Sequence, residues 1–182
     1  PPRSTLFPYT TLFRSAFILD AYRDWVSPAM KNEVVLPYIS MHGSTEAMVK
    51  HLIDALARHG VTVHAFDLAV TDIGKLAMAL VDAATLIVGT PTVHVGLHPA
   101  VFHASHLANL LRPKVKYAAI VGSYGWSSKA IEQITQLIPA LKVEVLGTVL
   151  EKGCPTADTF GQLDALAAAV AKAHRGDKLV IT

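Results

Sequence analysis

The chain has 182 residues, enough for one domain with a proper buried core, and 52% of them are hydrophobic. Its longest aliphatic run, Ala165–Ala171, is roughly a third of the ~20 residues a spanning helix needs, so no membrane span is expected. The formal charge of +2 comes from Arg3 and Arg14, no basic cluster carries interleaved aromatics, and a nucleic-acid surface is therefore excluded.

In chain order, residues 1–15 hold Pro1, Pro2 and Pro8, have no sustained period, and make a poor signal peptide. "TLFPYTTLFRS" (5–15) looks like the in-frame translation of a short-read sequencing adapter. This segment is expected to be foreign to the domain, with residues 16–30 connecting to an upstream part that is missing. "EVVLPYIS" (33–40) reads as the first strand, although Pro37 removes a ladder donor. A helix follows with Met48, Leu52, Ala55 and Leu56 on one face, and Gly60 stops it. "VTVHAFDL" (61–68) is strand two, a short helix covers 73–82, and "ATLIVGT" (84–90) is strand three.

Pro99 opens a helix that runs to about Leu111. "KYAAIVGS" (116–123) is strand four, Ile131, Ile134 and Ile138 mark the next helix, and "KVEVLGTVL" (142–150) is strand five. An Ala-rich helix begins at Thr156, and residues 176–182 form a tail. The alternation over 31–175 predicts an α/β domain, a mostly parallel sheet with helices on both faces. Such sheets bind ligands outside the carboxyl ends of their strands.

Three loops occupy those ends. In "SMHGSTEAM" (40–48), Ser40, Met41, His42, Gly43, Ser44 and Thr45 stand just before a helix. Backbone N–H groups and hydroxyls there suit a terminal monophosphate. The motif is neither a nucleoside-triphosphate loop nor a Gly-x-Gly-x-x-Gly turn. The alternative is that Ser44 or Thr45 simply caps the helix. In "GTPTVHVGLHP" (89–99), Thr90, Pro91 and Thr92 are expected to form a stiff turn, with Val93 and His94 following and Gly96 in an unusual conformation. In "GSYGWSS" (122–128), Ser123, Tyr124, Gly125 and Trp126 place aromatics at a loop mouth, suited to stacking on a flat ring. Cradle, turn and aromatic platform together fit flavin mononucleotide (FMN).

These three words resemble the loops of flavodoxin-like domains, most closely those of flavodiiron proteins, over roughly Lys31 to Arg175. "AYRDWVS" (21–27) resembles the connector that precedes this domain in that family. The resemblance implies a doubly wound five-stranded sheet of order 2-1-3-4-5. It also implies that Ser40 to Thr45 hold the FMN phosphate, that Thr90 to Gly96 line the ring edge, and that Ser123 to Trp126 cover a ring face. Two departures stand out. His94 and Val95 replace a usual pair of asparagines, and Ser128 stands where glycine is common.

The family's diiron domain would precede this one, and its His-x-Glu-x-Asp pattern is absent from the sequence. The chain's own role would then be electron transfer, with no acid, base or nucleophile required. Implied partners are a redox donor such as a separate rubredoxin or a reductase, and the diiron domain of a homodimeric parent. His94, His98, His103 and His106 cluster without an intervening carboxylate, and read as loop and helix surface rather than a metal site. The lone Cys154 rules out an internal disulfide framework and fits a reducing cytoplasm. Two alternatives stay open: a catalytically inert fragment, and a flavodoxin-like NAD(P)H:quinone reductase.

Overall fold

The structure, a computed structural model, describes residues 10–179. It opens with α1 (Thr10–Val26), β1 (Lys31–Tyr38), α2 (Ser44–Arg58), β2 (Thr62–Asp67) and α3 (Ile73–Leu80). There follow β3 (Ala83–Val93), β4 (Gly96–Leu97), α4 (Pro99–Leu111) and β5 (Tyr117–Tyr124). The chain continues through α5 (Ala130–Leu137), β6 (Glu144–Lys152) and α6 (Ala157–Gly176). Residues 1–9 of the expected foreign segment lie outside the described part. α1 carries exposed Phe17, Ile18, Leu19, Tyr22 and Val26.

The five long strands are parallel and lie in the order β2-β1-β3-β5-β6, the expected 2-1-3-4-5 arrangement. β4 is an addition that the sequence did not suggest, a two-residue strand antiparallel to β3. Burial on both faces accounts for the continuous apolar runs. In β1, Val34 and Leu36 join one core while Val35 joins the other, and all three are fully buried.

The first core sits between the sheet and α2 with α6, where Met48, Leu52 and Leu56 meet Leu163, Leu166 and Val170. The second sits under α3, α4 and α5, around Leu76, Leu80, Val101 and Ile134. Pro37 stays inside β1 despite its missing donor, because the ladder resumes two residues on, with Ile39 N–H donating to Gly89 C=O at 3.2 Å.

One polar network is sealed in the fold. His174 of α6 is fully buried; its Nδ1 lies 2.7 Å from Asn32 Oδ1 and its Nε2 lies 2.7 Å from Thr85 Oγ1. Asn32 uses its amide nitrogen on Gly60 C=O (2.8 Å), so its oxygen faces the imidazole. His174 therefore donates from Nδ1 and accepts the Thr85 hydroxyl at Nε2, the pattern of a neutral ring. Burial pushes its pKa down, opposed by the Asp177 carboxylate.

Candidate functional site

The register brings the carboxyl ends of the central strands together. Tyr38 pairs with Gly89, Gly89 with Val121, and Pro91 with Ser123. A cleft of about 380 Å³ opens there, within the size range of small-molecule sites. Ser40, Met41, His42, Ser44 and Thr45 form one wall, and Pro91, Thr92, Val93 and His94 a second. Ser123, Tyr124, Gly125 and Trp126 form the third, and Gly153 closes a corner. Thirteen of the expected site residues thus line one cleft, whereas Gly43, Thr90 and Gly96 do not.

Gly43 works behind the wall. Its φ of +86° lets the chain turn sharply into α2. Ser40 Oγ holds that turn by accepting from Gly43 N–H (3.1 Å) and Glu46 N–H (3.3 Å). The first helical bond runs from Ala47 N–H to Gly43 C=O at 2.9 Å. The N–H groups of Ser44 and Thr45 come ahead of it, at the positive end of the helix.

Simple capping does not explain these residues, since the cap position belongs to Gly43 and carries no side-chain cap bond. The Thr45 hydroxyl instead pairs with Ser123 Oγ at 3.2 Å, fastening the first loop to the third. No Lys or Arg stands among the lining residues. An anion at this end would be held by amides and hydroxyls.

The second loop differs from expectation. Thr90, Pro91 and Thr92 are not a turn but the last residues of β3, paired with β5 and β4. Thr90 is fully buried, and its hydroxyl donates to Pro91 C=O at 2.8 Å. The turn lies at His94 and Val95, with φ of +48° and +71°, between the pairs Thr92–Leu97 and Val93–Gly96. Gly96 has no positive φ; a Cβ there would press on the tip of the Gln133 side chain, whose Oε1 accepts from Leu97 N–H at 2.7 Å. Left-handed conformations at both central positions define a two-residue hairpin, where Asn and Gly are favoured. A β-branched residue is disfavoured at a φ of +71°, so Val95 holds the turn under backbone strain.

The third loop is tied to the second by the Thr92 hydroxyl, which donates to Ser128 Oγ at 2.8 Å. The same oxygen accepts from Ala130 N–H at 3.2 Å, so serine at 128 orders the loop where glycine could not. Trp126 is 79% exposed at the cleft mouth, an aromatic face with little protein against it. Gly153 was missed because β6 runs to Lys152, past the expected end of its strand. Its N–H donates to Tyr124 C=O at 2.9 Å. Glycine in "EKGCPT" after a strand was the available signal.

One wall of the cleft is therefore rich in N–H and hydroxyl donors, and another carries the aromatic side chains of Tyr124 and Trp126. Residues 36–169 match the profile of the Flavodoxin family. The chain belongs to the flavodoxin family. FMN is the cofactor that this membership indicates, and the donor-rich and aromatic walls suit a phosphate and a flat ring.

Among relatives, the flavodoxin chain is 33% identical over 129 residues to a nitric oxide reductase of Moorella thermoacetica, covering 71% of this chain and 32% of that protein. The structure of rubredoxin oxygen:oxidoreductase from Desulfovibrio gigas superposes with a TM-score of 0.85 at 26% identity, over 91% of this chain and 42% of that one. The flavodiiron protein of Giardia intestinalis gives 0.80 at 22% identity, over 92% and 42%. The chain spans about a third of the length of the curated relatives it matches first. Among the described residues, no helix is long and apolar enough to cross a membrane.

Proposed function

We propose that this chain is the FMN-binding electron-transfer domain of a flavodiiron-type oxygen or nitric oxide reductase. The observation that carries the reading is the single cleft that the Ser44 and Thr45 helix end shares with an uncovered Trp126. Ser40 to Thr45 hold the phosphate, with Gly43 and Ser40 shaping the turn rather than both touching the ligand. Thr92, Val93 and His94 border the ring edge, and Tyr124 and Trp126 cover a face. When bound, FMN supplies the electron chemistry, and the protein supplies position and electrostatics.

Residues 16–30 then connect this flavin domain, 31–175, to a diiron domain, and residues 1–15 are foreign to both. The immediate electron donor is a separate redox protein of the rubredoxin kind or a reductase, in keeping with the name of the Desulfovibrio gigas relative. The electron acceptor is the diiron domain of the parent, in the same chain or a partner copy.

The test is anaerobic stopped-flow mixing of the FMN-loaded chain with reduced rubredoxin, followed at the flavin absorbance. Bleaching of the flavin, with no NADH consumption when a soluble quinone is offered, is the expected result. Turnover of NADH with quinone and no reaction with rubredoxin would instead assign a quinone reductase.

A further inference from the structure

His94 is the residue whose surroundings say most beyond this reading. A second, shallower cleft of about 460 Å³ lies beside the first, against Phe102, Gln133 and Gln136, and the two share Val93 and His94 as a dividing wall. His94 occupies the first central position of the two-residue turn, between the pairs Thr92–Leu97 and Val93–Gly96. Its place on the rim is therefore set by strand register. Its backbone is further held from the α5 side, where Lys129 N–H donates to Val95 C=O at 2.7 Å.

A histidine gains or loses its charge between about pH 5 and 8, which no asparagine does. The other titratable groups on the first cleft wall are His42 and Tyr124. His98 heads α4, its Nδ1 accepting from Ala100 N–H at 3.2 Å, and Lys129 and Glu132 stand at the start of α5. No carboxylate lines either cleft.

We infer that the charge of His94 sets the preference of the cleft for reduced over oxidised FMN. The inference rests on the proposed function, which puts the ring at the His94 end. Two-electron reduction of the flavin, with electrons from the redox donor, takes up one proton and leaves one negative charge on the ring. The imidazolium form of His94 attracts that charge, and neither form attracts the neutral oxidised ring comparably. With His94 protonated the chain binds reduced flavin more tightly relative to oxidised flavin, and with the ring neutral the advantage disappears.

The experiment measures dissociation constants of the apoprotein for oxidised FMN and for dithionite-reduced FMN, anaerobically, at about pH 5.5 and about pH 8.5. Wild type is compared with His94→Asn, His94→Lys and His42→Asn, so that titration of free flavin cancels. Asparagine suits a φ of +48°, so that variant keeps the turn. In wild type the oxidised-to-reduced ratio should exceed that of His94→Asn by about fivefold or more at the acid pH, the value of one contact charge pair even in water. The excess should vanish at the alkaline pH. His94→Lys should retain it at both.

Equal ratios in wild type and His94→Asn at both pH values would overturn the inference. So would an acid-side ratio that falls in His42→Asn but stays at the wild-type value in His94→Asn. Failure of wild type to bind oxidised FMN at either pH would instead refute the proposed function, and the inference with it.

Discussion

The buried His174 network makes a sharp quantitative prediction. His174→Leu preserves bulk but removes both hydrogen bonds, leaving the fully buried Thr85 hydroxyl and the Asn32 oxygen without their partner. Each orphaned buried group costs about 1–3 kcal/mol, so the variant should lose about 3 kcal/mol in urea unfolding at neutral pH. Adding Thr85→Val removes one orphan and should restore about 1–2 kcal/mol of that loss. The pH dependence has a definite sign. Burial lowers the His174 pKa in the folded state, so the unfolded chain binds the proton more readily. The stability of the neutral ring is complete above the unfolded value of about 6.5 and is lost as pH falls through the folded pKa. Between about pH 7.5 and 5.5 the wild type should lose up to about 1.4 kcal/mol more than His174→Leu, in which that proton has nowhere to bind. A leucine variant within about 0.5 kcal/mol of wild type, or with the same pH dependence, would refute the neutral-imidazole account.

Other substitutions test how the loops are held. A Cβ on Gly122 would run into the Thr90 carbonyl, a backbone atom that cannot swing aside, so Gly122→Ala should cost about 3 kcal/mol in chemical denaturation and weaken FMN binding by moving apart the strand ends that carry Pro91 and Ser123. Ser40→Ala frees the Gly43 and Glu46 amides of their acceptor and should raise the FMN dissociation constant about tenfold, read by fluorescence titration. Gly43→Ala meets no atom within 4 Å, so its cost is conformational alone: about 1–2 kcal/mol in thermal or urea unfolding at a φ of +86°.

The alternation of strands and helices was legible because each strand is buried on both faces and each helix shows one apolar stripe. Val34 to Leu36 and Met48 to Leu56 carry that pattern without help from distant residues. The site was legible as words at strand ends, since small, hydroxyl and aromatic residues there have no packing role that explains them. The hairpin at His94 and Val95 was not, because neither residue advertises a left-handed turn and Gly96 drew attention to the wrong position. Thr90 looked like a ligand-facing hydroxyl, yet β3 runs three residues further and turns it inward. The link from Thr45 to Ser123 spans 78 residues of chain and becomes visible only once the register is known.

If one cleft binds FMN with Trp126 against its ring, titrating FMN with the purified chain will quench the flavin fluorescence. Wild type should show saturable quenching at one FMN per chain. Trp126→Ala should weaken binding by about three- to tenfold, the value of an aromatic stack beyond its buried area. Absence of binding by the wild-type chain, or binding that Trp126→Ala leaves unchanged, would contradict this binding mode.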